Sequence, residues 1–126
     1  MNETCIKVEG REVPLLFDVQ AWLDVEKRFG CLSEMNRRIS DGEKPMDACM
    51  ELLAATANAG ARKHGEKADY SAQWFIDRLT PKRASAAATA AKQAFLDGMA
   101  RDEVENDEAD VDVVAQEIQK KTGVEA

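Results

Sequence analysis

Glycine is sparse. Only seven occur in 126 residues, and the two nearest each other are Gly60 and Gly65, so there is no glycine-rich loop to cradle a phosphate. Cysteine is equally uninformative as a framework. Cys5, Cys31 and Cys49 are odd in number, widely spaced and without a CxxC pair, which argues against a zinc site or a disulfide scaffold. They read instead as reduced, partly buried thiols that pack as small hydrophobes. No apolar run approaches the roughly 20 residues that span a bilayer, and the N-terminus lacks a signal-peptide core. A cytoplasmic protein with no membrane partner is therefore expected. Large apolar side chains are also few, since 20 of the 56 apolar residues are alanine. Such a supply suits one small helical domain, not a catalytic barrel or a doubly wound sheet.

Charge is present in quantity but unevenly placed. The net charge is −7, yet residues 1–101 hold 15 acidic and 15 basic side chains. The excess lies in residues 102–126, where Asp102, Glu103, Glu105, Asp107, Glu108, Asp110 and Asp112 crowd together. A run of this kind repels itself and has too little apolar content to order alone. A boundary near Arg101 follows, with a domain over 1–101 and an acidic, flexible or weakly helical tail over 102–126. The tail reads as a solvating segment. Val111, Val113, Val114 and Ile118 interrupt its charges, so Ala109 to Lys121 also suits a peptide that becomes helical on a partner. A neutral body with an acidic tail repels phosphate backbones, so nucleic acid is not an expected partner.

Periodicity gives a mainly α (α+β) fold: an N-terminal β-hairpin followed by a compact bundle of about five helices. Ile6 and Val8, then Val13, Leu15 and Phe17, alternate with polar neighbours around Gly10-Arg11. Folding back there sets Val8 opposite Val13 and Ile6 opposite Leu15. Pro14 then falls opposite Lys7, where a two-residue loop would require a donor that proline lacks, so a four-residue loop over Glu9 to Glu12 is predicted. Asp18 caps a helix over 19–29 with Val19, Trp22, Leu23 and Phe29 on one stripe and Gly30 at its end. A short helix over 32–40 carries Met35 and Ile39. Pro45 opens a helix to Lys63 with Met46, Cys49, Met50, Leu53 and Ala57 inward. Asp69 or Ser71 caps a helix through Leu79 that buries Phe75, Ile76 and Leu79. Thr80-Pro81 starts the last helix, to about residue 100, with Ala84, Ala87, Ala88, Ala91, Phe95 and Met99 on a narrow face. Its small residues favour close helix packing within the domain or between subunits, so a homo-oligomer is compatible with the pattern.

Nothing in this pattern reads as an active site; no enzyme, cofactor or metal is expected. The one histidine, His64, lies 15 residues from Cys49, roughly 22 Å along a continuous helix and too far for a thiol–imidazole pair. It reads as a helix C-terminal or surface residue. The body's carboxylates fall mainly on polar helix faces. Asp107, Glu108, Asp110 and Asp112 lack the loop glycine and terminal glutamate of an EF-hand. Trp74-Phe75-Ile76 followed by Pro81-Lys82-Arg83-Ala84 imitates a helix-turn-helix, but the second helix has few side chains able to read base edges. The two tryptophans suit either the core or a protein-binding surface.

The opening residues carry a resemblance. Ile6-Lys7-Val8-Glu9-Gly10-Arg11-Glu12-Val13-Pro14-Leu15, then Phe17 through Trp22-Leu23 to Val25-Glu26 and Phe29-Gly30, resemble the start of small phage tail assembly chaperones. Such proteins are also found in prophage and gene-transfer-agent tail clusters. The likeness continues more loosely through Leu32-Ser33-Glu34-Met35, the helix from Pro45 and the Trp74 to Met99 helices, and leaves the acidic tail outside. It implies a non-catalytic protein of the bacterial host cytoplasm, absent from the mature virion, that holds the tape measure protein and in some cases tail tube subunits. It also implies a longer product made by frameshifting, with which Lys120-Lys121 is compatible. The chemistry required is exposed apolar surface, adaptable methionines and a solubilising counterweight. The expected protein-binding surface is the hairpin face and first helix, through Phe17, Trp22 and Phe29, with Trp74 second. A small helical head–tail connector, or another structural virion protein, is the alternative.

Overall fold

The computed structural model describes residues 3–105, with side chains through residue 100. An antiparallel hairpin, β1 (Thr4–Val8) and β2 (Arg11–Leu15), precedes five helices: α1 (Val19–Phe29), α2 (Leu32–Asp41), α3 (Pro45–Lys63), α4 (Ala72–Arg78) and α5 (Pro81–Glu105). Of the described residues, 3–96 form one compact unit and 97–105 belong to a second. Helix α5 runs past the boundary expected near Arg101 to Glu105; the rest of the expected tail, 106–126, lies outside the described residues. No helix among the described residues is long and apolar enough to cross a membrane.

The hairpin corrects the expected register. Val8 pairs with Arg11, Ile6 with Val13 and Cys5 with Pro14, so the loop is the two residues Glu9-Gly10. Both have positive φ, 52° and 82°, the backbone of a type I′ turn whose twist matches that of the strands. Glycine takes this conformation freely at Gly10. The shift by two residues also resolves the proline conflict. Pro14 now faces Cys5 at a non-hydrogen-bonded site, where no donor is required.

One face of the hairpin packs on α3. Val8, Val13 and Leu15 are buried there, and the backbone of β2 approaches the helix at Gly60. A Cβ built at that glycine would overlap the Pro14 carbonyl oxygen. Close by, the Leu16 amide donates to the Thr56 carbonyl at 3.0 Å. The Thr56 hydroxyl is fully buried and is satisfied within the helix by donating to the Leu52 and Leu53 carbonyls, both at 3.0 Å.

Helix α3 is the hub. Its residues from Ala48 to Ala61 are buried almost all round, the pattern of a central helix rather than an amphipathic one. Alanines along it let neighbours come close. Met46, expected inward, is instead exposed at its first turn. Asn58 holds the loop before α4: its Nδ2 donates to the Tyr70 carbonyl at 3.0 Å and its Oδ1 accepts from the Tyr70 amide at 2.8 Å.

The caps follow the expected chemistry. The Asp18 carboxylate accepts from the Ala21 amide at 2.9 Å, and the Gly30 amide closes α1 on the Glu26 carbonyl. Of the two candidates before α4, Ser71 is the cap, accepting from the Trp74 amide at 3.1 Å. Thr80 caps α5 through the Arg83 amide. Helix α4 buries Phe75 but leaves Ile76 exposed and Leu79 half-buried. Ala87, Ala88, Ala91, Ala94 and Phe95 form the buried face of α5, whereas Met99 is exposed.

Candidate protein-binding surface

Helix α1 is apolar on two sides. At 100° per residue, Ala21, Val25 and Phe29 centre on one direction, and these are the buried residues of the helix. Val19 and Leu23, with Trp22 at the margin, centre about 120° away. They are 70%, 47% and 36% exposed. The expected single stripe of Val19, Trp22, Leu23 and Phe29 is therefore divided: Phe29 faces the core and the other three do not. The missed signal was width. Six apolar residues over 19–29 occupy more than half the helix circumference, more than one packing face accommodates.

Val19, Trp22, Leu23 and Glu26 follow at i, i+3, i+4 and i+7, a continuous strip along the outside of α1. The Trp22 indole N–H donates to the Glu26 carboxylate at 3.1 Å, which lays the ring along the helix and fixes its orientation. Asp24, on the far flank, accepts from Gln20 at 3.1 Å.

The four residues expected at the surface separate. Phe17 is buried and packs edge-on against Phe95, with ring centroids 4.8 Å apart. Phe29 is buried, with the Arg38 guanidinium 5.5 Å from its ring centre. Both are core residues because each terminates a buried row that runs onto a neighbouring element, and neither presents an open contact face. Trp74 is half-buried in an aromatic cluster, 5.0 Å from both Tyr70 and Phe75. The Arg78 guanidinium lies 4.4 Å from its ring, and Arg78 reaches Glu9 of the hairpin turn at 3.5 Å. Trp74 thus ties α4 to the hairpin. Trp22 alone of the four is exposed, with Val19 and Leu23 exposed beside it.

A cleft of about 450 Å³ opens where α1 ends and α2 and α3 face each other. Arg28, Arg37, Arg38 and Lys44 line it together with Asp47 and Glu51. The charges answer one another. Glu34 holds Arg37 at 2.7 Å and Arg38 at 2.8 Å, and those hydrogen bonds pull its carboxyl down to about 2. Arg28 reaches Glu51 at 3.3 Å. This is a balanced polar surface rather than an anion or cation trap.

The remaining reactive groups stand apart. His64 caps the end of α3 and meets Glu3 at 2.8 Å. Cys49 is buried, and burial raises its thiol pKa. Cys5 and Cys31 are exposed rather than partly buried. Among the described residues no three His, Cys, Asp or Glu side chains group as metal ligands. Comparison with protein-family models, with curated proteins and with solved structures finds no match for this chain.

Proposed function

We propose that this chain is a phage or prophage tail assembly chaperone, a non-catalytic protein that binds the tape measure protein, and in some systems tail tube subunits, during tail morphogenesis. The proposal places it in the host cytoplasm and outside the finished particle. Support comes from the opening hairpin–helix motif and, above all, from one observation: α1 keeps a second apolar side in solvent after its first has been used by the core. Val19, Trp22 and Leu23 sit on a rigid, capped helix. Apolar anchors at i, i+3 and i+4 are the spacing with which one helix meets another. Trp22 supplies the kind of large, pinned side chain that dominates such contacts. Exposed Met46 adds an adaptable apolar side chain.

The test is co-expression with a phage tape measure protein, the client that the proposal names. The client is expected to stay in the supernatant and to copurify with this chain. Combined Trp22→Ala and Leu23→Ala should abolish copurification while leaving the fold intact. Equal client solubility without the chain would refute the proposal. So would its recovery in stoichiometric rings from purified mature particles, which is the outcome a head–tail connector requires.

A further inference from the structure

The hairpin has one closed edge and one open edge. Because a two-residue turn is closed by Val8 and Arg11, the pairs 8–11, 6–13 and 4–15 exchange the ladder hydrogen bonds. The peptide groups of Cys5 and Lys7 therefore point away from β2. Among the described residues, the backbone bonds made outside helices and strands include none from β1. The other edge differs. Pro14 has no N–H to offer, its carbonyl abuts Gly60 of α3, and the next amide, Leu16, is spent on Thr56. Proline and a covering helix are two of the devices that close a sheet edge.

The side chains of β1 also look unfinished. On its core-facing side Val8 is buried, but Ile6 and Thr4 are only half-buried, unlike Val13 and Leu15 of β2. On its outer side Lys7 is exposed and belongs to none of the ion pairs among the described residues.

We infer that the open edge of β1 pairs with the same edge of a second copy of this chain, antiparallel about a two-fold axis at Cys5. That register sets Glu3 of each copy opposite Lys7 of the other, so two opposite-charge pairs form by symmetry. Glu3 uses Oε2 for His64, which leaves Oε1 for the lysine. On the core-facing side the half-buried Thr4 and Ile6 of one copy meet Ile6 and Thr4 of the other. Centring the axis on Ile6 instead would place Glu3 against Glu9 of the second copy, a like-charge clash. The chosen register makes about six backbone hydrogen bonds and joins the two hairpins into one four-stranded sheet. So short a ladder gives a reversible dimer. This interface shares no residue with the outer strip of α1, so client binding and dimerisation are separately testable.

Sedimentation equilibrium of the full chain across micromolar concentrations tests it. The wild type is expected to dimerise reversibly. Cys5→Pro should be monomeric, because proline there removes only the outward amide, as Pro14 does directly across the ladder; circular dichroism checks the fold. Lys7→Glu reverses both charge pairs and should weaken association about 10- to 30-fold. Glu3→Lys combined with Lys7→Glu should restore it. In a Cys31→Ser background, a short bifunctional thiol reagent should link Cys5 to Cys5, since directly opposed residues lie about 5.5 Å apart between Cα atoms. A wild type that stays monomeric at several hundred micromolar overturns the inference. So does a dimer that Cys5→Pro and Lys7→Glu leave unchanged. Should Cys5→Pro not fold, Lys7→Glu and its reversal decide the matter.

Discussion

Replacing Gly60 by alanine tests how the hairpin is seated. Helix propensity alone predicts a gain, because alanine is favoured over glycine in a helix interior by about 1 kcal/mol. The structure predicts the opposite sign. The new methyl would overlap the Pro14 carbonyl oxygen and meet its carbon at 2.6 Å, both backbone atoms that cannot swing aside. Strand β2 must therefore lift off α3 by more than an ångström. Lifting loosens the 3.0 Å bond from the Leu16 amide to Thr56, worth about 1 kcal/mol. It also opens the contact beneath Val13 and Leu15, which are 0% and 2% exposed. Overpacking of this kind costs about 1–3 kcal/mol, so net destabilisation after the propensity gain is about 1–3 kcal/mol. For a domain of this size that corresponds to a fall in Tm of roughly 5–20 °C. Thermal unfolding followed by circular dichroism reads it directly. A Gly60→Ala protein as stable as the wild type, or more so, would refute the seating of β2 on α3.

Other substitutions probe separate parts of the argument. Trp22→Ala should cost less than Phe17→Ala, because Trp22 is 36% exposed whereas Phe17 is buried and its loss should cost about 3–5 kcal/mol; urea denaturation separates them. Asn58→Ala strands the amide and carbonyl of Tyr70 and should cost about 1–3 kcal/mol, with faster hydrogen exchange at the Tyr70 amide as its local signature. The Glu34 carboxyl, held at about 2 by Arg37 and Arg38, is more acidic in the folded chain than its usual 4.5. Its contribution is therefore fully present above that usual value and is lost as pH falls toward 2. Carboxyl NMR titration should show the depressed midpoint, and Glu34→Gln should flatten the decline in stability over that window.

Much of the architecture was legible from local chemistry. Asp18, Pro45 and Thr80-Pro81 marked the starts of α1, α3 and α5 because capping and proline preferences act within a single turn of chain. Facing was less legible. Ile76 and Met46 were assigned inward on apolar character alone, but which apolar residue is covered depends on neighbours far away in sequence. The hairpin register slipped by two residues for a related reason. Both registers keep Val8, Val13, Leu15 and Ile6 on one face, and only the Glu9 backbone at φ 52°, a conformation side-chain patterning does not report, distinguishes them. Of the residues expected at the candidate surface, Trp22 is exposed on the outside of α1. Phe17 and Phe29, expected there too, are buried; an aromatic on the surface has the same sequence signature as one beneath it.

The alanine-lined middle of α3 has a consequence for how this molecule can vary through descent. A rod touched from several directions at once leaves no free side on which a bulkier group could be accommodated. Enlargement at Ala55, Ala57 or Ala59 would displace several neighbours together, whereas α1, α2 and α4, which pack against it, can change their solvent-facing letters independently. Diversification of what the molecule recognises should therefore accumulate on the periphery, around a mast of small residues that stays nearly constant.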